Sequence, residues 1–174
     1  MDILEAIRTR RSIRVFTDQP VSPDLVRQIL QAAMMAPSAG NAQPWQFLVV
    51  DDRSILDHIP TIHPYAAMSR QAQVGILVCG DLSREKYPGF WVQDCAAAIQ
   101  NMLLAAHGLG LGAVWTGIYP DADREGRFRE FFRLPASIIP LAFIPIGYPG
   151  QHPSSQDRFD PDRIHHNAWG KPWG

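Results

Sequence analysis

The sequence is poor in cysteine and carries almost no net charge. Its 174 residues include two cysteines, Cys79 and Cys95, which form no CxxC pair. Neither a disulfide framework nor a zinc site is therefore indicated, and we expect reduced thiols in a cytoplasmic protein. The formal net charge of -1 provides no global attraction to nucleic acid or to an anionic membrane surface, so neither is expected as a partner.

Long apolar runs and several catalytic signatures are also missing. No stretch approaches the roughly 20 apolar residues that a membrane helix needs. The first residues, MDILEAIRTRR, carry charges where a signal peptide needs an apolar segment. The absence of a serine elbow, a P-loop and a metalloprotease helix weakens hydrolase and nucleoside-triphosphatase interpretations. The adjacent His165 and His166 have no spaced carboxylate or cysteine set beside them, so no metal site is predicted.

Hydrophobic periodicity predicts a mixed pattern of helices and strands. Asp2 can cap a first helix, and Ser22-Pro23 is typical of the start of a second helix, which ends before Pro37. Because Pro140 and Pro145 lie in the last predicted strand, we expect that strand to be an edge or to contain a bulge. The later pattern predicts strands at 47–50, 74–80, 112–116 and 139–147, and helices at 91–107, at 121–133 and, broken at Pro60 and Pro64, at 53–72.

These elements predict a single α+β domain over residues 1–150, with a central sheet flanked by helices. Residues 151–174 differ from the rest, because they are polar and proline-rich yet contain Trp169 and Trp173. A segment with large aromatic residues but no periodicity cannot build a core of its own. We therefore expect this C-terminal extension to dock on a surface that is already folded, such as a second copy of the chain.

The stretch RTRRSIR, residues 8–14, places four arginines around Ser12. In a chain with a net charge of -1, this is a local feature. Guanidinium groups and a hydroxyl suit the binding of a phosphate. Cations at the C-terminal end of a helix also offset the helix dipole. On this stretch alone, anion binding and helix-end stabilisation are equal alternatives.

Three further stretches invite a ligand-binding interpretation. In PSAGNAQPW, residues 37–45, the amides of Asn41 and Gln43 can read the edge of a flat polar heterocycle, but an ordinary loop is favoured when the stretch is taken alone. In WTGIYP, residues 115–120, Gly117 can admit a ligand or can simply end a strand. GLGLG follows a helix and opens a strand, the reverse of a dinucleotide-binding loop, so helix termination is predicted there.

Taken together and in order, these stretches resemble the nitroreductase family of FMN-dependent oxidoreductases. The resemblance covers nearly the whole chain and rests first on two motifs, Arg10-Arg11-Ser12-x-Arg14 and Pro37-Ser38-x-x-Asn41-x-Gln43-Pro44-Trp45. Three features that are weak alone agree with it, namely Asp94 in the alanine-rich helix, Thr116-Gly117 after a strand, and Arg158 in the extension.

The resemblance implies a fold, an assembly and an activity. The fold would be α+β with a central, mainly antiparallel sheet, and the chain would form an obligate homodimer with two flavins at the subunit interface. The extension at 151–174 would wrap around the partner subunit. Electrons would pass from NAD(P)H through FMN to a small electron-poor acceptor, such as a nitroaromatic or a quinone, by a ping-pong mechanism.

The resemblance also gives each matching residue an expected role. The FMN phosphate would be held by Arg10, Ser12 and Arg158, with Arg11 beside them. The pyrimidine edge of the flavin would lie near Arg14, which would stabilise the charge of the reduced ring. The flavin bound mainly by the partner chain would be reached by Pro37, Ser38, Ala39 and Asn41. The isoalloxazine, near its reactive nitrogen, would be lined by Trp115, Thr116 and Gly117.

Other functions remain open at this point. A specialised flavin reaction on the same fold, such as dehalogenation or dehydrogenation, is one alternative, because one fold hosts several chemistries. A non-catalytic flavin sensor is a second, and an interaction domain with a basic N-terminal patch is a third. The stretch HPYAAMSRQAQ shows no equivalent of the additional lysine or asparagine by which longer family members contact the flavin.

Overall fold

The computed structural model describes residues 1–173, so Gly174, the last residue of the predicted extension, lies outside the described residues. The centre of the fold is a sheet in which every pair of strands is antiparallel. The strand order is β1-β2-β5-β3, and β4 also pairs with β5. The strands are β1 (Trp45–Val50), β2 (Val74–Asp81), β3 (Gly112–Ala113), β4 (Thr116–Gly117) and β5 (Ile138–Gly147). The prediction of a mainly antiparallel central sheet is confirmed.

The helices begin where the sequence predicts caps. The side chain of Asp2 accepts a hydrogen bond from the backbone N–H of Glu5 at 2.8 Å, and the hydroxyl of Ser22 accepts one from Leu25 at 3.4 Å. No helix among residues 1–173 combines the length and the apolar character needed to cross a membrane. The helices are α1 (Ile3–Thr9), α2 (Pro23–Met34), α3 (Arg53–Ile62), α4 (Trp91–Gly108) and α5 (Ala122–Phe132).

Helices cover both faces of the sheet, and the alternation of side chains along β2 explains why. Ile76 and Val78 pack into a core shared with α2 and α4, whereas Leu77 and Cys79 pack into a second core shared with α3 and α5. Because successive side chains of a strand point to opposite faces, an entirely apolar strand needs cover on both sides. The buried strand predicted at 74–80 is thus the centre of a three-layer domain.

The strand that contains Pro140 and Pro145 has a bulge, which is one of the two alternatives that its prolines predict. The strand that contains Pro140 is not an edge, because β5 pairs with β2 on one side and with β3 and β4 on the other. Pro140 is tolerated because the register shifts where Val78 pairs with Ala142 and Cys79 with Pro140, a bulge that leaves Leu141 unpaired with β2. The carbonyl of Leu141 instead accepts the N–H of Ile118 at 2.9 Å.

Two other predictions are wrong, namely a single strand at 112–116 and a helix break at Pro60. β3 and β4 are separate two-residue strands, and the carbonyl of Ala113 accepts the N–H of Ile13 at 3.0 Å. Pro60 lies inside α3 without ending it. It is only two residues from the end of the helix, so its missing N–H costs a single bond in the last turn.

The extension leaves most of its side chains in solvent. Among residues 151–173 the helical structure is one 3₁₀ turn, Pro161–Arg163. Trp169 is 90% exposed and Trp173 is 61% exposed, while His165 lies against Trp169 with ring centroids 4.2 Å apart. The described part of the extension therefore builds no core of its own. Docking on a partner subunit stays a prediction.

We expect the substitution Gly75→Ala to destabilise the domain. A Cβ atom at Gly75 of β2 would overlap the ring of buried Phe143 on β5, and forcing extra volume into a packed core costs about 1–3 kcal/mol. Urea unfolding measures this loss in the free energy of unfolding. Gly108→Ala is the matched control, since a Cβ atom there has no neighbour within 4 Å. Equal unfolding midpoints for the two variants would contradict this description of the core.

Candidate functional site

The predicted phosphate-binding residues lie together in one region of the chain. Arg10 is the C-terminal cap of α1, and Ser12 forms a parallel bridge with Ala113 of β3. The extension brings Arg158 to the same place, because Arg10, Arg11 and Arg158 line a cleft of about 720 Å³. A second cleft, of about 570 Å³, is lined by Arg11, Ser12, Arg14 and Arg158. We call these five residues the arginine cluster.

The arginine cluster has little compensating negative charge. Burial lowers the pKa of Arg10, and the nearby cations Arg11 and Arg158 lower it further. The ion pairs found within residues 1–173 involve Arg53, Arg124 and Arg163, so no cluster arginine of that range has a carboxylate partner within ion-pair distance. One carboxylate, Asp157, does line the larger cleft. The region therefore favours a bound anion, because an anion would relieve the repulsion between guanidinium groups.

Arg11 is already engaged in backbone contacts. Its guanidinium donates hydrogen bonds to the carbonyls of Arg10 at 2.6 Å, Arg8 at 3.0 Å and Ser154 at 3.1 Å. Arg11 therefore ties the start of the extension to the end of α1. This contact carries Arg158 toward Arg10, so Arg11 helps to assemble the cluster from two distant parts of the sequence.

The loop that contains PSAGNAQPW is held by internal hydrogen bonds. The N–H of Ala39 donates to the carboxylate of Asp94 on α4 at 2.9 Å, and Asp94 is buried. The N–H of Gln43 donates to the hydroxyl of Ser38 at 3.0 Å, while its side-chain amide donates to Asn41 at 2.7 Å. Gly40 has φ 58° and Asn41 has φ 53°, left-handed values that these residue types tolerate best.

The two-residue strand β4 offers a ligand mainly backbone atoms and an open space beside them. The hydroxyl of Thr116 donates to the carbonyl of Phe143 at 2.6 Å, so this side chain is turned into the sheet and only its backbone can face a ligand. A Cβ atom added to Gly117 would have no neighbour within 4 Å. Trp115 and Tyr119 are 37% and 39% exposed on either side. A flat group therefore has room beside Gly117.

The predicted site residues form separate groups in the single chain. Neither cleft of the arginine cluster is lined by a residue of the 37–41 loop. That loop is attached instead to the first half of α4, through Asp94, and Trp91 of the same helix packs its ring edge against Tyr119, with centroids 5.0 Å apart. The chain therefore assembles the phosphate-binding candidates itself and does not bring the 37–41 loop to them.

Three polar residues near these groups were not singled out from the sequence. His107 lies 2.8 Å from the hydroxyl of Thr9, and burial and then Arg10 and Arg11 lower its pKa. His63 is completely buried, and Arg124 donates to the carbonyl of Gly117 at 2.7 Å. None of them belongs to a recognisable motif, because each meets its neighbour through tertiary contacts rather than through sequence spacing.

The two cysteines offer no nucleophile. Both thiols are buried, and burial raises the pKa of each to about 12. A thiolate is the reactive form of cysteine, and at neutral pH neither residue supplies one. The prediction that Cys95 is a small core residue is confirmed, because it lies on the buried face of α4 in the core shared with α2.

The sequence comparisons identify the family. The model of the nitroreductase family matches residues 7–70 and 62–148, which together make up most of the chain. The chain belongs to the nitroreductase family. A relative from Methanothermobacter thermautotrophicus, provisionally named an NADH dehydrogenase/NAD(P)H nitroreductase, is 56% identical over 169 residues, which are 97% of this chain and 88% of the relative.

Solved structures agree with this assignment. A protein from Parabacteroides distasonis with the same provisional name has a TM-score of 0.91 and 42% identity, over 95% of this chain and 98% of that chain. A provisionally named nitroreductase from Desulfovibrio desulfuricans, solved in complex with FMN, has a TM-score of 0.84 and 38% identity, over 97% and 98% of the two chains. The predicted nitroreductase-like α+β fold is confirmed.

The nitroreductase family match extends over both predicted motifs but not over the whole candidate site. The residues from Arg10 to Gly117 fall within the matched ranges, whereas Arg158 lies beyond them. The role that the resemblance implies for Arg158 is therefore supported by its position beside Arg10 and Arg11 in the structure and not by the family match.

We expect inorganic phosphate to bind the arginine cluster without any cofactor. Phosphate should raise the melting temperature of the protein more than chloride does at the same ionic strength, because ligands that bind the folded state stabilise it. Each charge-assisted hydrogen bond is worth about 1.5–3 kcal/mol, so Arg10→Gln and Arg158→Gln should each weaken phosphate binding about 10- to 100-fold.

Arg27→Gln is the control for this experiment, since Arg27 is an exposed arginine of α2 outside the clefts. It should leave the phosphate effect unchanged. If all three variants respond to phosphate as the unsubstituted protein does, the arginine cluster is not an anion site.

Proposed function

We propose that this member of the nitroreductase family is an FMN-dependent enzyme that passes electrons from NAD(P)H to a small electron-poor acceptor. The observation that carries the proposal is the arginine cluster, in which Arg10, Arg158 and Ser12 converge without a carboxylate ion-pair partner among residues 1–173. The names of the relatives support the choice of ligand, since one includes NAD(P)H nitroreductase and another structure contains FMN.

The residues present fit FMN in two respects. The phosphate of FMN is a dianion with several acceptor oxygens, which suits the guanidinium donors and the Ser12 hydroxyl of the arginine cluster. The ring system is planar, and a Cβ atom built on Gly117 would meet no atom within 4 Å other than those of its chain neighbours. Trp115, Thr116 and Gly117 would contact the ring mainly through backbone and aromatic surface, because the Thr116 hydroxyl is bonded to Phe143.

Bound FMN would supply the chemistry, by accepting hydride from NAD(P)H and then giving electrons to a nitroaromatic or a quinone in a ping-pong order. The protein would bind and orient the flavin and would stabilise its reduced form. Arg14 is exposed beside Ser12 and would place a permanent positive charge near the pyrimidine edge. No side chain needs to act as a nucleophile, which agrees with the buried thiols.

The proposal includes a homodimer, because the candidate site is incomplete in one chain. Pro37, Ser38, Ala39 and Asn41 would complete the flavin site of the partner subunit. Apolar side chains available for such an interface are exposed on α1, where Ile3 is 73%, Leu4 57% and Ile7 53% exposed. Residues 1–150 would form the FMN-binding domain, and residues 151–174 would dock on the partner, which would cover the two exposed tryptophans.

The visible absorption spectrum of the purified protein tests the proposed function. We expect flavin absorption and, after denaturation, release of about one FMN per chain. Under anaerobic conditions NAD(P)H should bleach this absorption, and a quinone or nitroaromatic should restore it. A bound flavin that responds to neither would indicate a sensor and contradict the enzyme. A colourless protein that also fails to take up added FMN would contradict both.

A second experiment tests the role of Arg14. Removal of one cation near the flavin changes its electrostatic energy by roughly 1 kcal/mol in a solvent-exposed site, which is on the order of 20 mV for a two-electron couple. Arg14→Ala should therefore lower the reduction potential of the bound flavin by about that amount and slow its reduction by NAD(P)H. Arg27→Ala, on the exposed surface of α2, is the control. An unchanged potential in Arg14→Ala would remove Arg14 from this role.

A further inference from the structure

His63 is an unusual residue in this fold, because it is completely buried and incompletely bonded. It follows the last residue of α3, and its exposed fraction is 0%. The ring nitrogen Nδ1 accepts the N–H of Tyr65 at 3.3 Å, so the hydrogen of a neutral ring is on Nε2. Nε2 is buried and has no partner within hydrogen-bond geometry. A buried polar group in this condition costs free energy and calls for a physical explanation.

The surroundings of His63 point to β4. The carbonyls of Gly117 and Thr116 are near enough to favour the protonated ring, but burial first and Arg124 second lower the pKa of His63. The Nε2–H of the neutral ring lies near these two backbone carbonyls without forming a hydrogen bond to either, and the Gly117 carbonyl accepts Arg124 instead. Phe128 of α5 packs edge-on against the ring, with centroids 6.0 Å apart, and fixes its orientation.

Arg124 bonds to the same strand. From α5 its Nη1 donates to the carbonyl of Gly117 at 2.7 Å, and its Nη2 donates to the carboxylate of Asp121 at 2.9 Å. Asp121 also caps α5 by accepting the N–H of Arg124 at 3.0 Å. The guanidinium lies 5.5 Å from the ring centroid of Tyr65. Arg124 is thus fixed at three points, and one of them is the backbone of β4.

β4 needs such support because it is very short. It has two residues and pairs only with β5, and a strand of this length gains little from its own ladder. The space on the open side of Gly117 is unfilled by protein, so packing there cannot fix the peptide orientation either. His63 and Arg124 approach the carbonyls of β4 from α3 and α5, the helices that cover one face of the sheet.

We propose that His63 and Arg124 are positioning residues that fix the peptide groups of Thr116 and Gly117 for contact with the flavin. This inference rests on the proposed function, which places the isoalloxazine beside Gly117. Arg124 holds the Gly117 carbonyl and so orients the peptide that joins Gly117 to Ile118, whose N–H donates to the carbonyl of Leu141. His63 is completely buried beside the Thr116 and Gly117 carbonyls and limits the rotation of these peptide groups by occupying the space next to them. Neither residue touches the reacting atoms.

The chain offers a matched control on the same helix. Arg129 of α5 also donates to backbone carbonyls, to Ile138 at 2.9 Å and to Ala136 at 3.2 Å. Its partners lie at the start of β5 and not on β4. Loss of Arg129 should therefore reproduce the general cost of removing an arginine-to-carbonyl contact from α5, without an effect on Gly117.

The test compares Arg124→Gln, His63→Gln and Arg129→Gln by two measurements. The first is hydrogen–deuterium exchange of the backbone amides in residues 114–119 of the purified protein. The second is the two-electron reduction potential of bound FMN. We expect Arg124→Gln and His63→Gln to speed exchange at 114–119 about tenfold. Arg124→Gln, which removes a positive charge, should also shift the reduction equilibrium toward oxidised flavin. Arg129→Gln should speed exchange near 134–138 and leave both 114–119 and the potential unchanged.

The two measurements test separately the positioning role and its connection to the flavin. Unchanged exchange at 114–119 in Arg124→Gln and His63→Gln, or an equal change in Arg129→Gln, overturns the positioning role. Faster exchange with an unchanged potential in Arg124→Gln overturns its connection to the flavin. Arg124→Lys keeps the charge and one donor, so it should retain part of the effect and provides a second variant if the glutamine variants do not fold. Failure of the unsubstituted protein to take up FMN overturns the proposed function, while the exchange result still decides the positioning role.

Discussion

The pairing of β5 with its neighbours is the constraint on which the rest of the structure depends. β5 holds β2 on one side and both β3 and β4 on the other. Through β3 it fixes Ala113, which bridges to Ser12 at the arginine cluster. Through β4 it fixes Gly117, the open position proposed for the flavin ring. The bulge at Leu141 frees a carbonyl for the N–H groups of Ile118 and Tyr119, so the irregularity in β5 shapes the turn that follows the candidate site.

Much of the fold could be predicted from local signals, and what could not be predicted depends on long-range pairing. The caps at Asp2 and Ser22 and the apolar run of β2 are local features, and the structure has them where the sequence indicates. The prolines of β5 predict an edge or a bulge, and only the register with β2 shows that the strand is central and that a bulge accommodates Pro140. Likewise, nothing in the spacing of residues 112–116 indicates two separate strands, because their partners lie on β5.

The candidate site also combines residues that the sequence indicates with residues that only long-range contacts bring to it. The spacing of Arg10, Ser12 and Arg14 indicates a local concentration of positive charge, and only the family resemblance makes it a predicted phosphate site and adds Arg158. The structure adds Arg11 as the residue that ties the extension to α1, a contact between residues far apart in the sequence. His63 and Arg124 lie in no motif and reach β4 only through the packing of α3 and α5. Residues that support a site from a neighbouring element leave no periodic pattern, so sequence reasoning passes over them.

The central claim is that each flavin site combines the arginine cluster of one chain with the 37–41 loop of another, and subunit mixing tests it most directly. One chain would carry Arg10→Gln and Arg158→Gln, and the other Ala39→Trp, which should block the loop. Neither homodimer should hold FMN. Random mixing after joint refolding should restore about a quarter of the sites, because each mixed dimer regains one intact site. If mixing restores no FMN binding, each site belongs to a single chain, and the account of a shared site is wrong.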